Sequence, residues 1–177
     1  MKKSVLAILI LLFTFSGCSY AAQPAVYDLG NGYIAVRNDV FDKLVAPKLL
    51  ESGRRVAYLL IDAMRYELGV ELAKHLNEAG QVDVQVACAQ MPTVTPVGMA
   101  TLLPGAGQSL KLMNKDNQLL VVFSDQPLST VTQRMDVLRK KYGQRFSEME
   151  LVRFVRDHPK IESTVELLVI RSNDMDN

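Results

Sequence analysis

The chain has 177 residues, of which 49% are hydrophobic and 22% are charged, a composition that suits one globular domain. The high apolar content and the formal net charge of +1 exclude an intrinsically disordered chain. The near balance of 20 basic and 19 acidic residues does not indicate a nucleic-acid binder, and two cysteines cannot form a disulfide framework.

Residues 1–17 have the layout of a bacterial secretory signal peptide. Two lysines near the start precede an almost wholly apolar stretch, residues 5–15, and small residues follow. The four residues FSGC, which end at Cys18, resemble a lipobox, in which the cysteine is lipidated after cleavage. Ordinary signal cleavage after Ala21 is one alternative, and a buried N-terminal helix is another. The sequence therefore predicts export, with Cys18 as the candidate lipidation site.

Residues 18–40 are predicted to form an irregular N-terminal segment or a small hairpin, because Gly30-Asn31-Gly32 is a turn signal. Residues 39–51 then predict a helix that ends at Gly53. Pro47 conflicts with a continuous helix at this place, and we expect it to divide the helix.

The next segments predict alternating strands and helices. Residues 56–61 form a continuous apolar run, the pattern of a strand that is covered on both faces in a parallel sheet. Residues 66–79 predict an amphipathic helix. Four apolar residues share one side of it: Leu68, Leu72, Ala73 and Leu76. Residues 82–89 predict another strand, and residues 92–105 predict a loop that enters a short helix.

The second half of the chain predicts a hairpin, two helices and a final strand. The hairpin joins residues 110–113 to residues 119–123, and the first helix covers residues 129–142. Residues 147–150 (SEME) have the pattern of a capping box that opens the second helix. Residues 165–170 predict the last strand. This order of elements predicts an α/β fold with a mostly parallel sheet flanked by helices.

Polar residues follow the predicted strands, where ligands bind in open α/β sheets. They are Asp62, residues 93–98 and residues 171–176. Asp62 directly follows six apolar residues, and a carboxylate in that place needs a metal ion or the N-terminus of the next helix as a partner. A helix N-cap is the structural alternative for Asp62.

Thr95 and Pro96 have the pattern of a helix start, with threonine as N-cap and proline at the first helical position. Capping alone accounts for this pattern. Thr95 becomes a candidate nucleophile only where a metal ion or a base can deprotonate its hydroxyl.

Two segments in this order resemble the PglZ domain of the alkaline phosphatase superfamily. They are residues 58–68 (YLLIDAMRYEL) and residues 91–105 (MPTVTPVGMATLLPG). Residues 167–176 (LLVIRSNDMD) are similar to a third PglZ segment. The resemblance extends from about Phe41 to the last residue, so residues 41–177 are predicted to form a partial alkaline-phosphatase-like α/β sandwich.

The resemblance implies roles for particular residues. Asp62 would be the first metal ligand, and Thr95 would be both the nucleophile and a metal ligand. Asp176 would be a further metal-binding acid, with Asp174 as the less favoured candidate. Two divalent ions, usually zinc in this superfamily, would bracket the phosphoryl group of a phosphate-ester substrate and activate Thr95.

Arg65 and Gly98 are the candidate substrate-binding residues. Arg65 either contacts an anionic substrate or pairs with a glutamate on the surface of its helix, and Gly98 would allow close approach of the backbone. Arg134 and the basic run at residues 139–141 are interpreted as the solvated face of their helix.

The chain departs from the superfamily pattern after Asp176. The superfamily completes its metal sites with later Asp-His and His motifs, and the sequence ends at Asn177. His75 and His158 have the wrong context to replace those motifs. We therefore expect an incomplete metal site and the N-terminal part of a larger domain.

Two functions from different classes follow. One is a metal-dependent phosphohydrolase or phosphodiesterase of the PglZ type. The alternative is a non-catalytic secreted or lipid-anchored remnant that acts as a binding or structural protein, or a truncated gene product. The signal layout predicts the cell envelope, with membrane attachment through Cys18. The cytoplasm is the alternative, because PglZ domains are generally associated with cytoplasmic systems such as phage-defence loci and response regulators.

Overall fold

A computed structural model describes residues 38–80, 82–85 and 87–173, together with four short strands that precede them. The strands, in chain order, are β1 (Val5–Leu9), β2 (Leu12–Phe13), β3 (Tyr27–Asp28), β4 (Ile34–Ala35), β5 (Arg55–Ile61), β6 (Ala87–Cys88), β7 (Leu110–Lys115), β8 (Gln118–Phe123), β9 (Gln126–Pro127), β10 (Phe146–Glu150) and β11 (Leu167–Ser172). The α-helices are α1 (Ala46–Leu50), α2 (Tyr66–Ala79), α3 (Thr95–Thr101), α4 (Ala106–Ser109), α5 (Val131–Tyr142) and α6 (Leu151–Asp157).

The main sheet is parallel throughout and has the strand order β1-β5-β11-β10. In its register, Tyr58 of β5 lies between Ile8 of β1 and Val169 of β11. Parallel strands need long connections, and helices supply much of the chain between β5 and β11. This arrangement confirms the predicted α/β fold class with a mostly parallel sheet.

The two faces of the sheet are covered by different parts of the chain. On one face, Val56 and Tyr58 pack into the main core with residues of α3, α5 and β8. On the other face, Leu168 and Ile170 pack with Phe154 of α6 in a smaller cluster. Burial on both sides explains why the sequence of β5 is a continuous apolar run rather than an alternating one.

The helix that was predicted over residues 39–51 is present but divided. Phe41–Val45 is a π-helical turn, and α1 follows it directly. Pro47 lies in the first turn of α1, and because it has no N–H it cannot continue the hydrogen bonds of the π-helical turn, in which the N–H of Ala46 donates to the carbonyl of Phe41. The irregular turn thus falls just before the proline, as the sequence predicted, and it directs Phe41 and Val45 into the core.

The predicted hairpin is formed by β7 and β8, and a third antiparallel strand, β9, extends it. Asp116 and Asn117 connect β7 to β8, and both residues have positive φ angles, 52° and 60°. Two successive left-handed residues match the twist of the flanking strands, and Asp and Asn tolerate that conformation. Strand β9 was not predicted. Near the N-terminus, β3 and β4 also pair antiparallel, which confirms the predicted small hairpin in its strands.

The strand that was predicted over residues 82–89 is wrong in length and place. Among the described residues of this range, which omit residue 86, Ala87–Cys88 forms a strand, and it pairs with β2 rather than with the main sheet. Asp83 and Gln85 are exposed, and the Gln85 amide donates to the Asp83 carboxylate at 2.8 Å. These polar side chains do not suit a strand that is covered on both faces.

The capping box that was predicted at residues 147–150 is also wrong, because Phe146–Glu150 is strand β10. Its partner β11 supplies backbone hydrogen bonds that a local capping pattern cannot anticipate. Helix α6 begins one residue later, at Leu151, and it ends at Asp157, with His158 in the left-handed conformation. The last strand, predicted at residues 165–170, is Leu167–Ser172.

Helix α2 has the predicted bounds, but its apolar side is only partly covered. Ala73 is buried, whereas Leu68 and Leu76 are 38% and 41% exposed. The two leucines thus lie on the side of the helix that the sequence predicts, but the described part of the chain leaves them partly exposed. None of the helices in the described segments has the length and apolar character that crossing a membrane requires.

Candidate active site

Asp62 lies at the carboxyl end of β5, at the edge of the main sheet. Its backbone N–H donates to the carbonyl of Ser172 at 3.0 Å, so the pairing with β11 continues to this residue. Its carboxylate oxygen Oδ1 accepts a hydrogen bond from the N–H of Ala63 at 3.0 Å. Helix α2 begins only at Tyr66, with Arg65 as its N-cap. The alternative that Asp62 caps a helix is therefore wrong.

The chain turns sharply after Asp62 through a residue with unfavourable backbone geometry. Ala63 has a φ of 56°, in the left-handed region where a residue with a Cβ is strained. Such strain is concentrated at functional sites, where the surrounding structure holds it in place. The turn keeps the Asp62 carboxylate at the sheet edge instead of carrying it into α2.

Thr95 is the first residue of α3, and Val94 rather than Thr95 is the N-cap. No side chain caps this helix, so the predicted capping role of Thr95 is wrong although the predicted helix is present. Thr95 is exposed. The Thr95 hydroxyl therefore does not cap the helix, which was the structural alternative to a catalytic role.

Asp62 and Thr95 line one cavity of about 70 Å³. The two residues come from separate motifs, one at the end of β5 and the other at the start of α3. Arg134 of α5, Arg171 of β11 and Asn173 complete the polar part of the wall, and Leu60 and Met99 contribute apolar surface. The structure thus brings together two of the residues that the sequence singled out.

Arg171 lies on the β11 side of the cavity, within an ion-pair network. Its Nη2 is 3.2 Å from Oε2 of Glu148, and the other oxygen of Glu148 accepts from Arg139 at 2.9 Å. Glu148 belongs to β10, the neighbouring strand, so the parallel pairing places the acid beside the arginine. The charge of Arg171 is therefore largely balanced within the sheet.

Arg134 is the residue that sequence reasoning missed. Its interpretation as part of a solvated helix face is wrong, because the residue is only 7% exposed. Residues 139–141 are exposed as predicted. The missed signal is spacing: Arg134 follows Val131 by three residues and precedes Leu138 by four, so it lies on the apolar side of α5.

The charges around the cavity act on Arg134 in opposite directions. Burial lowers the pKa of Arg134, the negative charge of Asp62 raises that pKa, and the positive charge of Arg171 lowers it. Since the ordinary pKa of arginine is far above neutrality, the guanidinium remains charged. The cavity therefore contains a buried cation close to a carboxylate.

The two predicted substrate-binding residues, Arg65 and Gly98, do not line this cavity. Arg65 is exposed at the N-cap of α2. Glu71, a glutamate on the same helix, instead forms an ion pair with Lys74 at 2.9 Å. The N–H of Gly98 donates to the carbonyl of Val94 at 2.9 Å, and a Cβ added to Gly98 would meet nothing within 4 Å.

The other residues that the sequence singles out either lie outside the described residues or are exposed on a helix. Cys18, Asp174 and Asp176 lie outside the described residues. His75 is exposed on α2, with its Nε2 at 3.7 Å from Glu71. His158 is exposed at the C-terminal end of α6.

The parallel sheet, with an acid and a hydroxyl at its carboxyl edge, defines an alkaline-phosphatase-like α/β domain. A family model described as the BREX system PglZ alkaline phosphatase-like domain matches residues 40–177. The chain therefore belongs to the PglZ family, which confirms the resemblance and its extent.

A curated relative is similar to the same family. The alkaline phosphatase-like protein PglZ of Bacillus cereus (strain H3081.97) is 32% identical over 90 residues. Those residues are 50% of this chain and 10% of that protein. No solved structure matches the chain.

Alkaline-phosphatase-like proteins generally use divalent metals, and the cavity has only part of the donor set that such an ion requires. Carboxylate and hydroxyl oxygens, as in Asp62 and Thr95, are suitable ligand types. Within the described ranges, however, no group of three or more His, Cys, Asp or Glu side chains could hold a metal ion. Asp62 and Thr95 would thus hold an ion only together with further ligands.

Proposed function

We propose that the chain contributes the nucleophile to a phosphohydrolase or phosphodiesterase site of the PglZ type. The observation that carries this proposal is the shared cavity of Asp62 and Thr95. Two long motifs that are separate in sequence have no structural need to converge there, since neither side chain caps a helix.

Thr95 is the proposed nucleophile. Its hydroxyl loses a proton and its oxygen forms a bond to phosphorus while the bond from phosphorus to the ester oxygen breaks; the leaving oxygen takes up a proton and departs as the alcohol. Water then breaks the bond from phosphorus to the threonine oxygen, which releases phosphate from a monoester or a phosphate monoester from a diester. A divalent ion, zinc in our proposal, would be held in part by Asp62 and Thr95 and would lower the pKa of the threonine hydroxyl.

The test compares Thr95→Ala with Thr93→Ala, a matched control. Thr93 is exposed and lies in the same motif, but it does not line the cavity. We expect hydrolysis of a nitrophenyl phosphate monoester or diester, with added zinc or manganese, to fall by at least about 100-fold in Thr95→Ala. Thr93→Ala should remain within about twofold of the unmodified chain.

Equal rates in the two variants would contradict the role of Thr95. Absence of turnover by the unmodified chain with either metal, combined with no metal uptake, would contradict catalysis by this chain. That outcome would favour the second candidate, a non-catalytic binding or structural role. The observation that favours this second candidate is the incomplete donor set in the described part of the cavity.

We also propose that the chain reaches the cell envelope and is attached to a membrane through lipidated Cys18. The support is the order of features in residues 1–17, with two lysines, an apolar stretch and small residues before the cysteine. A triacylated N-terminus would hold firmly, because more than one acyl chain is needed for stable anchoring.

A further inference from the structure

We propose that Arg134 binds a tetrahedral oxyanion in the cavity between Asp62 and Thr95, where it would hold the anionic group of the substrate. The identity of that group as a substrate phosphoryl rests on the proposed function. The anion site itself does not depend on the proposed function, because it is argued from Arg134 and the cavity that this residue lines.

The first argument is an unsatisfied donor. Nη1 of Arg134 is buried, and it has no hydrogen-bond partner among the residues that the structure describes. A buried donor of a charged group that lacks a partner carries an uncompensated desolvation cost. The side chain is more than nine-tenths buried and lines the cavity, so a bound anion would remove this penalty.

The second argument is the place of Arg134 on its helix. It lies in the first turn of α5, four residues after the N-cap Thr130. The partial positive charge of a helix N-terminus makes a cation unfavourable there. For the stability of α5 alone, an acidic or apolar residue would be better. An anion in the cavity, in contrast, would be attracted by both the guanidinium and the helix end.

The third argument is the balance of charge around the cavity. Arg171 is paired with Glu148 at 3.2 Å. Arg134 has no ion-pair partner within the described part of the chain, although the charge of Asp62 acts on it. Nε of Arg171 also lacks a hydrogen-bond partner among the described residues, but Arg134 is the cation on this wall that has neither an ion pair nor a partner for its buried Nη1 there.

The fourth argument is size. One water molecule needs a space of only ~10–15 Å³. The cavity of about 70 Å³ therefore has room for more than one small group. A phosphorus or sulfur atom with four oxygens is of this size, and the remainder of an ester would extend outside the cavity.

The experiment is calorimetric titration of the purified chain with inorganic phosphate and, in a second arm, with sulfate. Arg134→Gln removes the charge, and Arg134→Lys keeps it but loses the planar donor geometry. Arg153→Gln is the matched control, because the Arg153 side chain is 71% exposed on α6. Circular dichroism and thermal unfolding of every variant show whether it is folded.

We expect saturable binding of phosphate by the unmodified chain and at least a tenfold loss of affinity in Arg134→Gln, which is ~1.4 kcal/mol. Arg134→Lys should bind with intermediate affinity, and Arg153→Gln should bind like the unmodified chain. A stronger response to phosphate than to sulfate would assign the site to a phosphoryl group, and equal responses would assign it to tetrahedral oxyanions in general.

The inference is overturned if neither anion binds, or if Arg134→Gln binds as well as Arg153→Gln. If Arg134→Gln does not fold, the comparison of Arg134→Lys with Arg153→Gln decides in the same way. Arg134-dependent anion binding without ester hydrolysis would leave the anion site standing and contradict the proposed phosphohydrolase. Hydrolysis whose inhibition by phosphate is unchanged in Arg134→Lys would contradict the anion site alone.

Discussion

Tyr58 connects the centre of the main sheet to the segment that follows α3. Its side chain is fully buried, and its hydroxyl donates to the carbonyl of Leu102 at 3.2 Å. The ring of Phe41 packs edge-on against it, with 5.7 Å between the ring centroids. The Tyr58 side chain thus links β5, the strand that precedes Asp62, to the segment that follows α3, the helix that begins at Thr95.

We predict that Tyr58→Phe lowers the free energy of unfolding by about 1–2 kcal/mol near neutral pH, because the Leu102 carbonyl loses its donor inside the core. Chemical denaturation of the variant measures this loss. Tyr142→Phe is the control. Tyr142 is only half-buried, and its substitution should change stability by less than about 0.5 kcal/mol.

The same pair of variants tests how the Tyr58 hydroxyl makes the stability of the chain depend on pH. Burial raises the pKa of Tyr58 above its ordinary value of about 10, so the folded chain keeps the proton that the unfolded chain loses. The contribution of Tyr58 to stability is therefore constant below about pH 10 and falls above it, by up to ~1.4 kcal/mol per pH unit. Tyr58→Phe should remove this part of the alkaline fall, whereas Tyr142, whose pKa burial also raises, keeps its own part. An identical alkaline slope in the unmodified chain and in Tyr58→Phe would contradict the burial of the Tyr58 hydroxyl.

The sequence identified Asp62 and Thr95 because each stands at the end or the start of a regular element, where a polar residue is conspicuous. It did not identify Arg134, which is surrounded by the polar residues of an amphipathic helix. The spacing to Val131 and Leu138 places it on the apolar side. Whether such an arginine is buried depends on the surface that packs against the helix, and local patterns do not contain that information.

Helix α5 depends on a complete capping box at its N-terminus. The Thr130 hydroxyl accepts a hydrogen bond from the N–H of Gln133 at 3.2 Å, and the Gln133 side chain accepts from the N–H of Thr130 at 3.0 Å. The same oxygen of Gln133 also accepts from the N–H of Ser129 at 2.7 Å. This network fixes the turn that carries Arg134.

We predict that Thr130→Ala destabilises the chain by about 1 kcal/mol, because the N–H of Gln133 loses its acceptor at the helix start. Thr132→Ala is the matched control, since Thr132 is exposed inside the helix and alanine is the better helix former. Thermal and chemical unfolding of both variants provide the measurement. Equal stability of the two variants would show that the capping box does not stabilise α5.

At the scale of elements, sequence patterns predicted those helices and turns that interactions between neighbouring residues determine. The bounds of α2, the face of α5 that carries Met135 and Leu138, and the β7–β8 hairpin follow from periodicity, caps and turn residues. The SEME run at residues 147–150 satisfies the rule for a capping box, yet it becomes β10. The neighbouring strand β11 provides backbone pairing along its whole length, and that partner lies about twenty residues away in sequence.

At the scale of the whole molecule, the apolar stretch near the N-terminus has two incompatible roles. Its sequence predicts a signal peptide that is removed, whereas Val5–Leu9 pairs as strand β1 along β5. Removal of residues 1–17 would uncover the edge of β5, and an unpaired edge strand is a template for association with another strand. Export and a four-stranded main sheet therefore exclude each other.

We predict that cells expressing the chain incorporate labelled palmitate into it, because cleavage before Cys18 creates the acceptor for lipidation. Cys18→Ala should abolish the label, and Cys88→Ala, the matched control, should retain it. The labelled protein should lack residues 1–17 by mass, so β1 would be absent from its sheet. An unlabelled chain of full mass, or equal labelling of Cys18→Ala, would contradict the lipoprotein and leave β1 in place as the strand that covers β5.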